Sequence, residues 1–265
     1  MRIISLFLFV CESIGCGLEF PSPPPNTFYK YNELKVGRGP VYLLTVDLNL
    51  DGFSDLVSAN AENNTLSVLL SKGDGRFKKT LTFPVAVEPT TITTGDINGD
   101  NIPDLLINSR GAGQITILLG YGNGSFRRLP GVKTGKVPLA IIPADFNGDE
   151  KLDVAVTLTF DKMEIFLGSG NGVFKKGETY QTGSRSLSGV PGDFNGDGNI
   201  DIVLATSSSA SSAIRLYIGK GDGTFFKPRK FAKGLFPLAL IKKDMNGNGL
   251  QDLIFSSSQG DNMYI

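Results

Sequence analysis

Short apolar runs recur along the chain at a nearly constant interval, separated by polar stretches rich in glycine. Five of these runs directly follow an aspartate, at residues 56–58, 105–107, 154–156, 202–204 and 253–255. Their length and their apolar, partly branched composition are typical of buried β-strands, and helix signals are nearly absent. The pattern therefore predicts an all-β protein.

One repeat unit contains four predicted strands. In the first complete unit they cover residues 41–46, 56–59, 66–70 and 77–83. A glycine hairpin ending in phenylalanine precedes the fourth strand, and its Asp-Gly or Asn-Gly pair favours a tight turn. The unit repeats after 49, 49, 48 and 51 residues. Such a period with four strands is typical of a β-propeller blade rather than of a helical solenoid.

The strand count predicts how this propeller closes. Phe28 lies 19 residues before Asp47, the interval that separates each hairpin phenylalanine from the next repeat, so it opens a lone fourth strand. With four complete sets and three C-terminal strands, the chain supplies 20 strands, enough for five blades. We expect the strand from Phe28 to complete the last blade and to hide two sheet edges, giving a monomer. The alternative is a longer propeller with further blades beyond Ile265.

The polar stretch before each apolar run has one pattern, Asp-x-Asn-x-[Asp/Asn]-x-x-x-Asp. It occupies residues 47–55, 96–104, 145–153, 193–201 and 244–252. Positions 4 and 6 of this nine-residue loop are Gly or Asn, residues that tolerate the positive φ of a tight turn, except at Leu50 and Glu150. The pattern predicts a tight loop between the first two strands of each unit.

Oxygen-bearing side chains at positions 1, 3, 5 and 9 suit Ca²⁺, which takes six to eight oxygen ligands. An EF-hand is excluded, because the glutamate at position 12 is missing and the flanks are not helical. A solvated turn is the alternative for any single copy, but five copies in one register favour up to five Ca²⁺ ions. The candidate ligands are Asp47, Asn49, Asp51, Asp55, Asp96, Asn98, Asp100, Asp104, Asp145, Asn147, Asp149, Asp153, Asp193, Asn195, Asp197, Asp201, Asp244, Asn246, Asn248 and Asp252.

The segments Gly-Asp-Ile-Asn-Gly-Asp at 95–100 and Gly-Asp-Phe-Asn-Gly-Asp-Gly at 192–198 resemble FG-GAP/VCBS repeats, which are related to those of the integrin α-subunit propeller. The resemblance covers about residues 28–265. It implies a β-propeller that binds Ca²⁺ in the loops described above and acts as a binding scaffold. The Gly-Ala-Pro that helps to name the family is replaced by triplets such as Ser58-Ala59-Asn60, so a VCBS-like member fits better than an integrin. Fold alone does not supply the ligand.

The N-terminus predicts export. Residues 1–16 combine one basic residue with a short apolar stretch, which is typical of a secretory signal peptide and too short to span a bilayer. The segment 13–16 loosely resembles a bacterial lipoprotein site at Cys16; the alternative is a cleavage region in which Cys16 has no role. Residues 17–27 form a proline-rich linker, and the propeller covers 28–265. We expect a secreted or surface-anchored protein without a transmembrane span after signal removal.

Composition weighs against catalysis. The chain has no His, and both cysteines lie at the N-terminus, so common routes to general-base and nucleophilic catalysis are missing. Fourteen of the 26 acidic residues are candidate calcium ligands in the five loops, and no second carboxylate pair stands out. We expect a non-enzymatic scaffold for a protein or carbohydrate ligand at the cell surface or in the extracellular matrix, without a nucleic-acid partner. The alternative is a carbohydrate-active enzyme or its lectin-like module.

Overall fold

The regular structure is antiparallel β-sheet throughout the described part of the chain. The computed structural model describes residues 33–207, 212–247, 251–258 and 263–265. Its strands all lie in one compact unit, Lys35–Ile265; of the other unit, Met1–Leu34, only the last two residues are described. The expected signal peptide, linker and closing strand from Phe28 lie outside the described residues. Within the described ranges, no helix could cross a membrane.

Each repeat forms one antiparallel sheet, and three of the five sheets have four strands paired in chain order, which is consistent with the predicted propeller-like blades. We number these sheets blade 1 to blade 5. Blade 1 contains β1 (Pro40–Val46), β2 (Asp55–Asn60), β3 (Thr65–Leu69) and β4 (Leu81–Pro84); blade 2 contains β5 (Pro89–Gly95), β6 (Asp104–Ser109), β7 (Gln114–Gly120), β8 (Phe126–Arg128) and β9 (Val132–Lys133); blade 3 contains β10 (Pro138–Ala144), β11 (Asp153–Leu158), β12 (Lys162–Gly168) and β13 (Phe174–Gln181); blade 4 contains β14 (Ser186–Gly192), β15 (Asp201–Thr206), β16 (Ala213–Tyr217) and β17 (Arg229–Phe231); blade 5 contains β18 (Pro237–Lys243), β19 (Asp252–Ser257) and β20 (Met263–Tyr264).

The outermost strand departs most from the prediction. In blade 3 it begins at Phe174, as expected, but in blade 1 Phe77 forms only a single bridge with Ser71 before β4 begins at Leu81. In blade 2 the outer position is divided between β8 and β9, which both pair with β7. An edge strand is hydrogen-bonded along one side only, so an exposed, charged sequence can leave the sheet there at little cost.

The hydrophobic core lies between the blades rather than within any one of them. Each of four apolar clusters joins two consecutive blades. The cluster between blades 1 and 2, for example, brings Leu48 and Val57 together with Ile92 and Leu105. The remaining clusters join blades 2 and 3, blades 3 and 4, and blades 4 and 5. A single blade therefore buries its apolar faces only when it has neighbours on both sides.

The innermost strands show which side chain faces which neighbour. A Cβ on Gly189 of β14 would lie 2.4 Å from Cδ1 of Ile142 of β10, so the fourth residue of one inner strand packs against the fifth residue of the preceding one. Leu43 is the fourth residue of β1 and is 52% exposed, whereas its counterpart Ile92 is 2% exposed. Ile241 is the fifth residue of β18 and is 57% exposed, whereas Ile142 is 1% exposed.

The outward faces of blades 1 and 5 therefore each carry an exposed apolar side chain at a position that is buried between other blades. Closure of the five blades into a ring stays a prediction.

Candidate metal site in the aspartate loops

The nine-residue motifs lie where the sequence predicts, in the loops that connect the first two strands of each blade. Position 1 directly follows the first strand, and position 9 opens the second strand. The candidate ligands are thereby brought together within each loop. The exception is Asn248, which lies outside the described residues.

The aspartate at position 1 accepts hydrogen bonds from backbone amides across its own loop. In blade 2, Oδ1 of Asp96 accepts from Gly99 N at 2.7 Å, and Oδ2 accepts from Asn101 N at 2.8 Å. The position-6 amides of blades 1, 3 and 4 donate in the same way to Asp47, Asp145 and Asp193. In blade 5, Gly247 N donates to Asp244 Oδ1 at 2.7 Å. The backbone of each loop thus folds around the carboxylate at position 1.

Positions 3 and 5 contact each other on the exposed side of the loop. Asn98 Nδ2 donates to Asp100 Oδ2 at 2.8 Å, and Asp100 Oδ1 accepts from Ile102 N at 2.9 Å. The same amide-to-carboxylate bond joins Asn49 to Asp51 and Asn195 to Asp197. These side chains lie in contact with solvent and can reorient towards a cation.

The aspartate at position 9 has a different environment, which the sequence did not reveal. Asp104 is fully buried; its Oδ2 accepts from Ile97 N at 2.8 Å and its Oδ1 from Gly120 N, at the end of the third strand, at 2.7 Å. Both bonds recur at Asp55, Asp153 and Asp201, whose partners at or just after the end of the third strand are Ser71, Gly168 and Gly219. One carboxylate therefore fastens the loop to both the second and the third strand.

Burial raises the pKa of the position-9 carboxyls. For Asp104, desolvation is the largest cause; the amides of Gly120 and Ile97 oppose it, and the charges of Asp100 and Asp96 raise the pKa further. Asp55, Asp153 and Asp201 are shifted in the same direction by the same set of causes. The three carboxylates of each of these loops are thus close enough to repel one another, and a bound cation would relieve that repulsion.

The donor chemistry fits calcium, but the described side chains do not form a ready-made cage. Each loop offers carboxylate and amide oxygens, the ligands that a hard cation prefers. Within the described ranges, however, no three acidic side chains converge on one point as metal ligands. Binding would use the remaining lone pairs of the oxygens at positions 1, 3 and 5, with the side chains turning inward from their present positions.

The two exceptions in the loop sequences adopt the same backbone as the glycines. Leu50 at position 4 has φ 57° and Glu150 at position 6 has φ 63°, within the left-handed region that Gly99 occupies with φ 76°. The repeat therefore imposes this conformation even on residues that disfavour it.

We expect Leu50→Gly to increase the free energy of unfolding by about 0.5–1 kcal/mol, because it removes a left-handed non-glycine residue whose side chain is exposed. Gly99→Ala is the matched control: a Cβ there meets no atom within 4 Å, so it tests backbone strain alone and should destabilise. Urea denaturation measures both. Destabilisation by Leu50→Gly would contradict the strain argument.

Asp104→Ala should decrease the free energy of unfolding by at least about 2 kcal/mol in chelator, because two buried amides lose their acceptor. Asp100→Ala removes an exposed carboxylate from the same loop and should cost less than about 1 kcal/mol. Equal effects of the two substitutions would show that the position-9 carboxylate has no special structural role.

Comparisons with known proteins agree with the repeat. A family model described as FG-GAP-like repeat matches residues 47–107, 98–156, 145–204 and 193–255. No curated protein matches the chain. Similar solved structures include BBS1N in complex with ARL6DN, at 15% identity and a TM-score of 0.57, where the match covers 82% of this chain and 62% of that one.

Another is an Agrocybe aegerita lectin, in a structure concerned with specific recognition of non-reducing terminal N-acetylglucosamine, at 17% identity and a TM-score of 0.57. That match covers 82% of this chain and 60% of the lectin, so this chain spans about three fifths of the length of both structures. At these identities the likeness shows the fold alone. The four matches to the family model cover most of the chain, which belongs to the FG-GAP-like repeat family.

Proposed function

We propose that this protein is an exported, calcium-binding β-propeller that serves as a binding scaffold for protein or glycan ligands. The observation that carries the proposal is the recurrence of one oxygen-rich loop at the same place in every blade. Calcium has a structural role in this proposal. Protein or glycan ligands would bind to surfaces of the scaffold other than the aspartate loops.

The proposed calcium site would be formed by side chains of the aspartate loops. The exposed carboxylate at position 5, with the partly exposed carboxylate at position 1 and amide oxygen at position 3, would hold the ion. The buried position-9 carboxylate already fastens the loop, and its remaining lone pairs can join the shell. The bound ion would supply positive charge where three carboxylates now repel one another, and would hold the first two strands together.

The binding role is supported by the fold and by its relatives. One similar structure is a complex between two proteins, and another is a lectin that recognises N-acetylglucosamine. Both kinds of ligand therefore occur on related scaffolds. We assign no catalytic residue, and a hydrolysis assay on glycan substrates that showed turnover would contradict the non-enzymatic role.

Export rests on residues 1–16 alone. We expect the protein recovered outside the cell to begin after this segment, which N-terminal sequencing measures. A protein that retains Met1 and stays inside the cell would contradict the export proposal.

We further propose that the five blades close into a ring, with the strand from Phe28 completing blade 5. Closure would bring the exposed faces of blades 1 and 5 together. Leu43→Glu and Ile241→Glu should then each decrease the free energy of unfolding by about 1–3 kcal/mol, because each places a charge in a buried seam.

Val173→Glu is the control, because Val173 is an exposed hairpin residue away from these faces. Denaturation curves compare the three variants. An effect of the first two no larger than that of the control, within about 0.5 kcal/mol, would show that the faces do not meet.

Ca²⁺ should raise the melting temperature of the protein. Mg²⁺ should raise it much less, because Mg²⁺ demands a tighter octahedral shell. An ion that binds only the folded state adds RT ln(1 + [L]/Kd) to the free energy of unfolding. At a free calcium concentration ten times Kd this is about 1.4 kcal/mol per site, so five sites contribute roughly 7 kcal/mol. Asp100→Ala should reduce the calcium-dependent rise. Thermal melts with chelator, Ca²⁺ and Mg²⁺ test this, and an unchanged midpoint across all three would contradict structural calcium.

A further inference from the structure

The segment that contains the outermost strand is strongly basic in each of the first four blades. It runs from the hairpin phenylalanine to the residue before the next innermost strand, at residues 77–88, 126–137, 174–185 and 225–236. These four segments hold thirteen basic and two acidic residues, and all thirteen basic side chains are exposed. Half of the basic residues of the chain are therefore concentrated at the outer edge of the blades.

Most of this positive charge has no acidic partner. Among the described residues, Lys176 is the one basic residue of these segments that forms an ion pair, with Glu164 at 2.6 Å. The two acidic residues of the segments contact other groups: Glu88 lies 3.6 Å from Arg110, and Glu178 accepts a hydrogen bond from Tyr180 at 2.6 Å. The outer edge therefore carries a net positive charge that the fold itself leaves uncompensated.

The formal net charge of zero conceals this separation of charge within each blade. The aspartate loop connects the two innermost strands, whereas the basic residues lie on and around the outermost strand. An anionic chain that stays at the outermost strands therefore meets mainly basic side chains.

Two consecutive basic residues follow the hairpin phenylalanine in blades 1, 2 and 3, and they lie on opposite faces of the blade. In blade 2, Arg128 is opposite Leu118, a residue of the apolar cluster shared with blade 1. Arg127 is opposite Leu119, a residue of the cluster shared with blade 3. Because paired residues share one face of a sheet, Arg128 faces the outer groove towards blade 1 and Arg127 faces the outer groove towards blade 3.

Blade 3 repeats this arrangement. Lys176 is opposite Phe166, which belongs to the cluster shared with blade 2. Lys175 is opposite Leu167, which packs against the cluster shared with blade 4. One lysine therefore faces each neighbouring blade.

Two outer grooves consequently receive positive charge from both of their walls. In blade 1, Lys78 N donates to the carbonyl oxygen of Leu70, a residue of the cluster shared with blade 2, at 2.8 Å. The groove between blades 1 and 2 therefore lies between Lys78 and Arg128. The groove between blades 2 and 3 lies between Arg127 and Lys176.

Protection of exposed sheet edges is the simplest role for such charges, because charged side chains prevent edge-to-edge pairing. Charges of either sign serve this purpose, and it does not require like charges from two blades to face one groove. Like charges that face each other repel, and an anion between them removes the repulsion. The uniform sign and the facing positions therefore point to an anionic ligand.

We propose that the outer grooves of blades 1 to 3 bind a linear acidic polysaccharide. Its carboxylate or sulfate groups lie in successive grooves, where guanidinium groups such as those of Arg127 and Arg128 bind them with two parallel hydrogen bonds. We call the six basic residues of these grooves the outer basic band: Lys78, Lys79, Arg127, Arg128, Lys175 and Lys176.

A polymer fits the band better than a small anion does, because the charged grooves repeat from blade to blade and weak contacts along one chain add through effective concentration. A flat membrane would meet only one side of a propeller-like scaffold, whereas a flexible chain can follow its outer edge. This inference rests on the proposed role as an exported scaffold and names one class of ligand for it.

The test is calorimetric titration of the full chain with hyaluronan, whose acidic groups are carboxylates, and with dextran sulfate, whose acidic groups are sulfates. We expect both polymers to bind with an affinity that falls as NaCl is added, and neutral dextran not to bind. A hyaluronan tetrasaccharide should bind at least about tenfold more weakly than the long chain, because it cannot reach from one groove to the next.

Arg127→Gln combined with Arg128→Gln removes one charge from each groove. This variant should weaken binding about tenfold, the effect of losing two exposed charged contacts. Arg127→Glu combined with Arg128→Glu keeps the sheet edge charged, so edge protection is preserved while binding should be lost. Lys78→Gln combined with Lys79→Gln tests the band on blade 1 if the blade 2 variants do not fold.

Lys242→Gln combined with Lys243→Gln is the matched control. It also removes two consecutive exposed basic residues, but they lie on the innermost strand β18 and outside the band. We expect this variant to bind both acidic polymers as the unsubstituted protein does. Melting temperatures show that the compared variants are folded.

Four results would overturn the inference: acidic polymers that do not bind, binding that the band variants leave unchanged, a tetrasaccharide that binds as tightly as the long chain, or DNA or anionic vesicles that bind more tightly than both polymers. A neutral glycan that binds while the acidic polymers do not would overturn this inference and leave the scaffold role standing.

Discussion

The buried aspartate that opens the second strand of a blade is the interaction on which each blade depends. Its two oxygens accept from one amide in the preceding loop and from one at the end of the third strand, in all of the first four blades. An ionised group costs free energy to bury, and these two bonds offset that cost. The loop, the start of the second strand and the end of the third strand therefore meet at one carboxylate, and the same loop geometry recurs in these four blades.

The blades in turn depend on one another, because the apolar clusters lie at the interfaces between consecutive blades. Each interface combines apolar side chains from two consecutive blades, so the short apolar runs must recur at the interval of the repeat for every blade to bury its faces. The exposed Leu43 and Ile241 at the two outer faces follow from the same rule.

Local sequence was sufficient to predict the blade, its inner strands and the position of the aspartate loops, because short apolar runs, Asp-Gly or Asn-Gly turns and the loop motif are all short-range signals. It was not sufficient for features that join distant segments. Nothing near Asp104 indicates that its partner is Gly120. Leu50 adopts a glycine-like backbone because the surrounding repeat holds it there, which no local propensity can predict. The interrupted outer strand of blade 1 reflects edge exposure, and this also depends on tertiary context.

The central claim is that the repeated loops are calcium sites. Calorimetric titration of the chelator-treated chain with Ca²⁺ tests it most directly, because it counts the ions and ranks their affinities. The account predicts up to five ions with dissociation constants on the order of 10⁻⁴ to 10⁻³ M, as in extracellular modules. The weakest should be in the Asp244 loop, where Asn248 replaces an aspartate. No saturable binding at millimolar Ca²⁺ would contradict the claim and would leave the aspartate loops as hydrogen-bonded turns alone.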